Sequence, residues 1–223
     1  MTGGARRIVT ARGAPGRAAG IAGALALGGA WSAAALGQGM TVHMIAHMTS
    51  VAVAAPLIAY ALSGTALDPA LRWPRLVAPL AMSFVELVVV WGWHLPAARA
   101  LAAASPAGLA AEQAAFAAAG VGLWSACYGT RDAPSSARRA VAVLALLWTT
   151  MHMTLLGALI TLAPRPLYSA HAHGDLPWGL TALADQQLAG VVMLLVGGGA
   201  YLCGGLGLLA GLLRERGTEA VPR

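Results

Sequence analysis

Six runs of mostly apolar residues, separated by short polar or proline-containing connections, make up most of the chain. Each run has at least the roughly 20 residues that a helix needs to cross the hydrocarbon core of a bilayer. The pattern predicts an all-α fold, a polytopic membrane helix bundle of about six transmembrane helices. The runs are residues 18–37, 40–63, 75–95, 108–128, 139–163 and 185–213.

The composition agrees with a chain that lies in lipid. Of the 223 residues, 58% are hydrophobic and only 10% are charged, and the mean hydropathy is +0.70. A water-soluble domain of this length cannot bury that much apolar surface, so the bilayer must be the solvent. The basic residues are spread over short connections instead of forming one patch, which argues against a nucleic-acid partner.

The arginines predict the orientation of the bundle. All 14 basic residues are arginine, and twelve of them fall on one side of the predicted bundle, which leaves Arg99 and Arg165 for the other. The positive-inside rule then places both termini in the cytoplasm, as expected for a bacterial plasma-membrane protein. The predicted organisation is a disordered basic cytoplasmic tail (1–17), a transmembrane helical bundle (18–213) and a short cytoplasmic tail (214–223).

The first run has two interpretations. Trp31-Ser-Ala-Ala-Ala35 offers small residues for cleavage, so residues 18–37 could be the core of a signal sequence. The run is long enough to span, however, and we expect a retained helix.

The second run opens with a pattern that indicates metal chemistry, Met40-Thr-Val-His-Met-Ile-Ala-His-Met48. His43 and His47 are four residues apart, and so are Met44 and Met48. On a helix each pair therefore shares one face, and the two faces are adjacent. Imidazole nitrogen and thioether sulfur together suit a soft or borderline metal, copper above all. The spacing predicts a metal site near the outer end of this helix.

Other runs bring polar or sulfur groups to the same outer half of the membrane. Such groups are costly in a bilayer unless they are paired, buried in the bundle or functional. The candidate metal ligands are His43, Met44, His47, Met48, His94 and His152. The candidates for orienting those ligands are Glu86, Glu112, Asp185 and Met193. The simpler alternative is that each histidine hydrogen-bonds a neighbouring helix and each methionine fills the core. His171 and His173, in the predicted outer loop, are either a metal-binding pair or an ordinary surface pair.

Two further features predict packing instead of chemistry. Cys127 and Cys203 are far from the histidines and too few for a disulfide framework. The sixth run is rich in glycine, and Gly207 and Gly211 form a pair of small residues four apart that favours close helix packing.

Several segments together resemble the CtaG-type integral membrane proteins, assembly factors for haem–copper cytochrome c oxidase. These segments are His43-Met44 and His47-Met48 running on to Ala55-Pro-Leu57, then Trp93-His-Leu-Pro96, Leu156-Gly-Ala-Leu-Ile-Thr161, Pro166-Leu-Tyr168, and Asp185-Gln-Gln-Leu-Ala-Gly190 leading to Met193. The resemblance implies oxidase maturation by delivery or insertion of copper, with an oxidase subunit as partner. One departure is that Glu112 stands beside Gln113 with no histidine, where the family's fourth helix carries histidines around a glutamate.

Other function classes fit the residues less well. In a b-type cytochrome, His47 and His152 would ligate haem iron from two helices. In a metal or proton transporter, Glu86 and His152 would form a relay, but the sequence has no inverted repeat and no matching groups near the inner ends. An enzyme is not expected, because there is no nucleophile–base pair, phosphate loop or HExxH motif. The oligomeric state is left open.

Overall fold

The computed structural model describes residues 13–128, 136–168 and 176–219. Within these ranges the secondary structure is helical and includes no strand, which confirms the all-α prediction. The long helices are α1 (Gly13–Leu36), α2 (Gly39–Leu62), α4 (Pro79–His94), α6 (Pro106–Tyr128), α7 (Ser136–Thr161) and α8 (182–219), and the short ones are α3 (Pro69–Arg72) and α5 (Pro96–Ala103).

Four of these helices are long and apolar enough to cross a membrane, namely α1, α2, α7 and the Ala182–Arg214 part of α8. Helices α4 and α5 together pass the same test, but a bend of 74° separates them, so they form a broken span or a re-entrant loop. Helix α6 is 23 residues long, about 34 Å at the α-helical rise, but it is alanine-rich and packs against α2 and α4. The part of the chain described is thus a multi-pass helical membrane protein with four or five candidate spans.

The helix ends differ from the predicted runs by a few residues. Helix α1 begins at Gly13, so residues 13–17 of the predicted disordered tail are helical, while residues 1–12 lie outside the described part. The last helix continues to Glu219, past the predicted boundary at 213. Helix α4 begins at Pro79 instead of residue 75, because proline suits the first turn of a helix and disfavours helical geometry in the residue before it.

Two of the long helices contain a π-helical segment that the sequence did not predict. In α2 it is Thr49–Ala54, directly after Met48, and in α8 it is Met193–Gly197. A π-helical turn contains one extra residue, so it rotates the following residues relative to the preceding ones, and such turns are frequent at functional sites. The two helices meet here: a Cβ added to Gly197 would lie 3.0 Å from Sδ of Met48.

Glycines let α7 and α8 approach closely, but not at the predicted pair. A Cβ at Gly190 would lie 2.6 Å from the carbonyl oxygen of Gly157, and one at Gly157 would lie 2.9 Å from the carbonyl oxygen of Gly190. The prediction for Gly207 and Gly211 is wrong, since no atom of the described neighbours lies within 4 Å of a Cβ at either. Gly207 is exposed, whereas Leu212, about 140° away around α8, is buried.

Successive long helices run in alternate directions. The start of α2 contacts the start of α8, where the carboxylate of Asp185 accepts a hydrogen bond from the backbone N–H of Thr41. At the same end of the bundle, the hydroxyl of Tyr168 donates to the carbonyl of His94, the last residue of α4. We call this the histidine end. At the opposite end, the rings of Tyr60 and Tyr128 bring together the ends of α2 and α6.

Candidate functional site

Three histidine rings from two helices meet around one phenylalanine at the histidine end. His43 and His47 come from α2 and His94 from α4, and the three form what we call the histidine cluster. The ring centroids of His47 and His94 are 5.1 Å apart, and those of His43 and His94 are 6.3 Å apart. Phe116 of α6 stacks on His47 with centroids 3.8 Å apart and the planes 15° from parallel. The predicted convergence of these three side chains is therefore present.

Local backbone structure explains where these rings point. His43 and His47 share a face of α2 because they are four residues apart. His94 ends α4 because Leu95 is extended and Pro96 starts the next helix after the bend. The hydroxyl of Tyr168 then bonds to the carbonyl of His94 at 2.9 Å. Burial raises the pKa of Tyr168 to about 12, so this hydroxyl remains a donor at physiological pH.

The ring nitrogens in the histidine cluster are not fully satisfied. Nδ1 of His94 lies 2.7 Å from the carbonyl oxygen of Val90, which is an acceptor only, so Nδ1 carries the proton and Nε2 presents its lone pair. Nε2 of His94 and both ring nitrogens of His47 are buried and have no hydrogen-bond partner among the described residues. Buried polar atoms are nearly always hydrogen-bonded, so these atoms indicate a ligand that completes the site.

A buried ion pair borders the cluster. Oε1 of Glu112 is 3.7 Å from Nε2 of His43, and Oε2 accepts a hydrogen bond from the guanidinium of Arg99. Both charged side chains are buried. Glu112 thus lies beside an imidazole, where its predicted orienting role requires it. The ion pair with Arg99 was not predicted from the sequence, which indicated only the side of the membrane on which Arg99 lies.

Asp185 contacts a different part of α2 from the one predicted. Its two carboxylate oxygens accept from the backbone N–H groups of Met40 and Thr41, and the hydroxyl of Thr41 donates to its carbonyl. The carboxylate of Asp185 is therefore bonded to the first turn of α2, and its predicted role in orienting an imidazole stays a prediction. Gly39 makes room for this contact with φ +86°, and a Cβ there would lie 2.9 Å from the carboxylate. Asp185 thereby positions the helix that carries two of the histidines.

The methionines of α2 belong to the core between α2, α7 and α8. Met44 and Met48 are fully buried, and so are Met153 and Met193. Met48 packs against Gly197 of α8, next to Met153 of α7. The histidines and the methionines occupy adjacent faces of α2, as their spacing dictates, and the ligand role predicted for Met44 and Met48 stays a prediction. Among the residues that the structure describes, no group of three or more His, Cys, Asp or Glu side chains is arranged to hold a metal ion.

Comparison with protein families decides where the chain belongs. The model of the family described as cytochrome c oxidase caa3 assembly factor (Caa3_CtaG) matches residues 18–215, which include every residue of the histidine cluster. The chain belongs to the Caa3_CtaG family. The resemblance noted from the motifs is thereby confirmed. Comparisons with curated proteins and with solved structures found no match.

Two predicted site residues of this Caa3_CtaG protein lie apart from the cluster. His152 of α7 is buried, and among the described residues its ring does not contact those of the histidine cluster or Phe116. Glu86 lies two turns before His94 on α4, about 12 Å along the helix.

Glu86 has a partner that the sequence did not predict, since it accepts a hydrogen bond from the hydroxyl of Tyr201. That hydroxyl is also 3.4 Å from the carbonyl oxygen of Val51, to which the indole N–H of Trp124 donates at 3.1 Å. Val51 lies in the π-helical segment of α2. Side chains from α4, α6 and α8 thus stabilise the irregular part of the helix that carries His43 and His47.

Phe116 and Arg99 were both missed by sequence reasoning, and each had a detectable signal. Phe116 is one of only two phenylalanines and lies four residues after Glu112, so the two share a face of α6. Arg99 is the one charge within a short alanine-rich helix, where a charge needs a partner. The other predicted residues, His171 and His173, lie outside the described residues.

Proposed function

We propose that this Caa3_CtaG family member binds copper at the histidine cluster and passes it to a subunit of the haem–copper oxidase during assembly. Family membership supports the role in oxidase assembly and favours a non-catalytic protein. The observation that carries the copper proposal is the pair of imidazoles, His47 and His94, with buried nitrogens that have no hydrogen-bond partner among the described residues.

The chemistry of the cluster supports a soft or borderline metal ion as cargo. Neutral imidazole is a good ligand for copper, and the tautomer of His94 set by Val90 leaves Nε2 free of a proton. The backbone hydrogen bond at Nδ1 is the kind of outer contact that orients a metal-binding histidine. Phe116 covers one face of the His47 ring, and the cluster is buried. Few water molecules would therefore compete with the imidazoles for a bound copper ion.

The topology that we propose has six spans with both termini in the cytoplasm of a bacterium. Helix α6 would be the additional span, and its alanine-rich sequence is tolerable because neighbours shield ten of its residues from lipid. Arg17, Arg72, Arg138 and Arg214 lie away from the histidine end, whereas Arg99 and Arg165 lie at it. The excess of arginine away from the histidine end supports a cytoplasmic location for the opposite end of the bundle. The histidine cluster would then lie just beneath the extracytoplasmic surface of the plasma membrane.

Metal analysis of the purified protein tests the proposal. Full-length chain purified in detergent and loaded with copper should retain it in proportion to protein, and His47→Ala should remove most of it. A matched control is Met151→Ala, since Met151 is half-exposed on the lipid-facing side of α7. In cells, His47→Ala should also lower oxidase activity. The proposal would be contradicted if the wild-type protein retained no copper, or if His47→Ala retained as much copper as wild type.

A further inference from the structure

We infer that the histidine cluster accepts monovalent copper, Cu(I), in preference to divalent metal ions, and that Arg99 sets this preference by neutralising Glu112. The inference rests on the proposed function, since it concerns the oxidation state of the same cargo. It follows from the charges, the number of available ligands and the position of the ion pair.

The charge balance around the cluster favours a monovalent ion. The imidazoles are neutral ligands, Phe116 is apolar, and the one described carboxylate beside the cluster, Glu112, is paired with Arg99. A bound metal ion would therefore keep its full charge in a buried site of low dielectric constant. The cost of burying an uncompensated charge rises steeply with that charge, so a divalent ion is disfavoured much more than Cu(I).

The ligand count points the same way. Zn²⁺ takes four ligands in most protein sites, and the described residues include no group of three His, Cys, Asp or Glu that is arranged to hold a metal. Cu(I) is stable with only two nitrogen ligands. Two nitrogens that share one metal ion lie about 4 Å apart, because each metal–nitrogen bond is about 2 Å long. The rings of His47 and His94, with centroids 5.1 Å apart, are compatible with that spacing.

The bend between α4 and α5 is what allows Arg99 to exclude divalent ions. The bend of 74° directs α5 back against α6, so the guanidinium of Arg99 reaches Glu112 although 13 residues separate them. Without Arg99, the carboxyl group of Glu112, 3.7 Å from Nε2 of His43, would lose its ion-pair partner and could ligate a divalent ion, releasing its proton on binding. It would then supply both a negative charge and an oxygen ligand, which are the features that Zn²⁺ and Cu²⁺ require.

Metal titrations on the full-length purified chain test this inference. Cu(I), held by a coloured competing chelator under anaerobic conditions, should bind in proportion to protein, while Zn²⁺ should bind at least about 100-fold more weakly. X-ray absorption of the Cu(I) form should show a low-coordinate site with nitrogen ligands. In Arg99→Gln, affinity for Zn²⁺ should rise at least about tenfold, because a buried carboxylate becomes available. Adding Glu112→Gln should cancel that rise, and Arg99→Lys should preserve the wild-type preference.

The outcomes separate this inference from the proposed function. Wild-type protein that binds neither oxidation state of copper contradicts both. If the wild-type protein binds Cu²⁺ or Zn²⁺ as tightly as Cu(I), the preference for a monovalent ion is wrong, but the proposed role in copper delivery still stands. This comparison requires only the wild-type protein. A folded Arg99→Gln protein with unchanged Zn²⁺ affinity overturns the role of Arg99. Arg72→Gln is the matched control, since Arg72 is exposed and distant from the cluster.

Discussion

Asp185, in the first turn of α8, accepts a hydrogen bond of 2.5 Å from the backbone N–H of Met40, in the first turn of α2. Because an α-helix leaves its first N–H groups without partners, a carboxylate here both satisfies them and favours the positive end of the helix dipole. His43 lies three residues further along α2. The contact therefore sets the depth and rotation at which two of the three clustered histidines enter the bundle.

Replacing this carboxylate should affect both stability and metal binding. Asp185→Ala leaves two buried N–H groups without an acceptor, which should cost about 1–3 kcal/mol of unfolding free energy. Copper affinity should also fall, because α2 is no longer held in register. Thermal unfolding and copper titration in detergent measure the two effects. Leu188→Ala, a change at a partly exposed position one turn later, is the control. If Asp185→Ala unfolds and binds copper like the control, the helix-positioning role is wrong.

The two phenylalanines offer a matched pair of variants. Phe116→Leu removes the ring stacked on His47 and should lower copper affinity, with a loss of about 0.5–1.5 kcal/mol from the ring pair. Phe84→Leu removes a ring that stacks on Trp148 instead and is more than half exposed. Copper titration should therefore separate the two. Equal copper affinities in both variants would show that the stacking on His47 does not matter for binding.

The contact between Glu86 and Tyr201 should contribute to stability and not directly to copper binding. Tyr201→Phe leaves a fully buried carboxyl group without its donor, which should cost about 1–3 kcal/mol. The same change in a Glu86→Leu background should cost much less, and the difference is the coupling energy. Chemical or thermal unfolding of the four proteins measures it. Additive effects would mean that the hydroxyl and the carboxyl group do not interact in the bilayer.

The separation of His152 from the cluster predicts unequal effects on copper. His94→Ala should abolish most copper binding, whereas His152→Ala should change it little, because among the described residues the ring of His152 does not contact the cluster. Metal analysis of both purified variants checks this. If His152→Ala lost more copper than His94→Ala, His152 would be a metal ligand after all. A red preparation with a Soret band that His152→Ala removes would favour the haem-binding alternative instead.

Close packing of α7 and α8 predicts a contrast between two glycines. Gly190→Ala would place a Cβ 2.6 Å from the carbonyl oxygen of Gly157, and backbone cannot move aside cheaply, so a loss of about 1–3 kcal/mol is expected. Gly199→Ala meets no described atom within 4 Å and should be neutral or slightly stabilising, since alanine favours helix. Thermal unfolding compares the two. Similar melting temperatures would contradict the close approach.

The features that the sequence predicts well are those that depend on local pattern. The apolar runs predict the long helices because crossing a bilayer requires a minimum length, and the spacing of His43 and His47 predicts a shared face. The bend at Pro96 could be anticipated as a helix end, but its angle depends on packing against α6. The contact between Arg99 and Glu112 follows from that angle, so it could not be read from the chain alone. The contact of Asp185 with Met40 and Thr41 was not predicted either, because nothing local shows which helix lies opposite.

The π-helical segment of α2 has a consequence for how this helix can vary in length. The extra residue lies within Thr49–Ala54. It lets the half of α2 before this segment direct His43 and His47 toward α4, while the half after it packs against α1 and α6. If the same residues were wound as a regular α-helix without the bulge, one half would rotate against the other by about 100°. Either the imidazoles or the packing surface of the half after Thr49–Ala54 would then face the wrong helix. Deleting one residue within Thr49–Ala54 should therefore be tolerated better than a one-residue deletion elsewhere in α2, because it removes the bulge and keeps the two halves in phase.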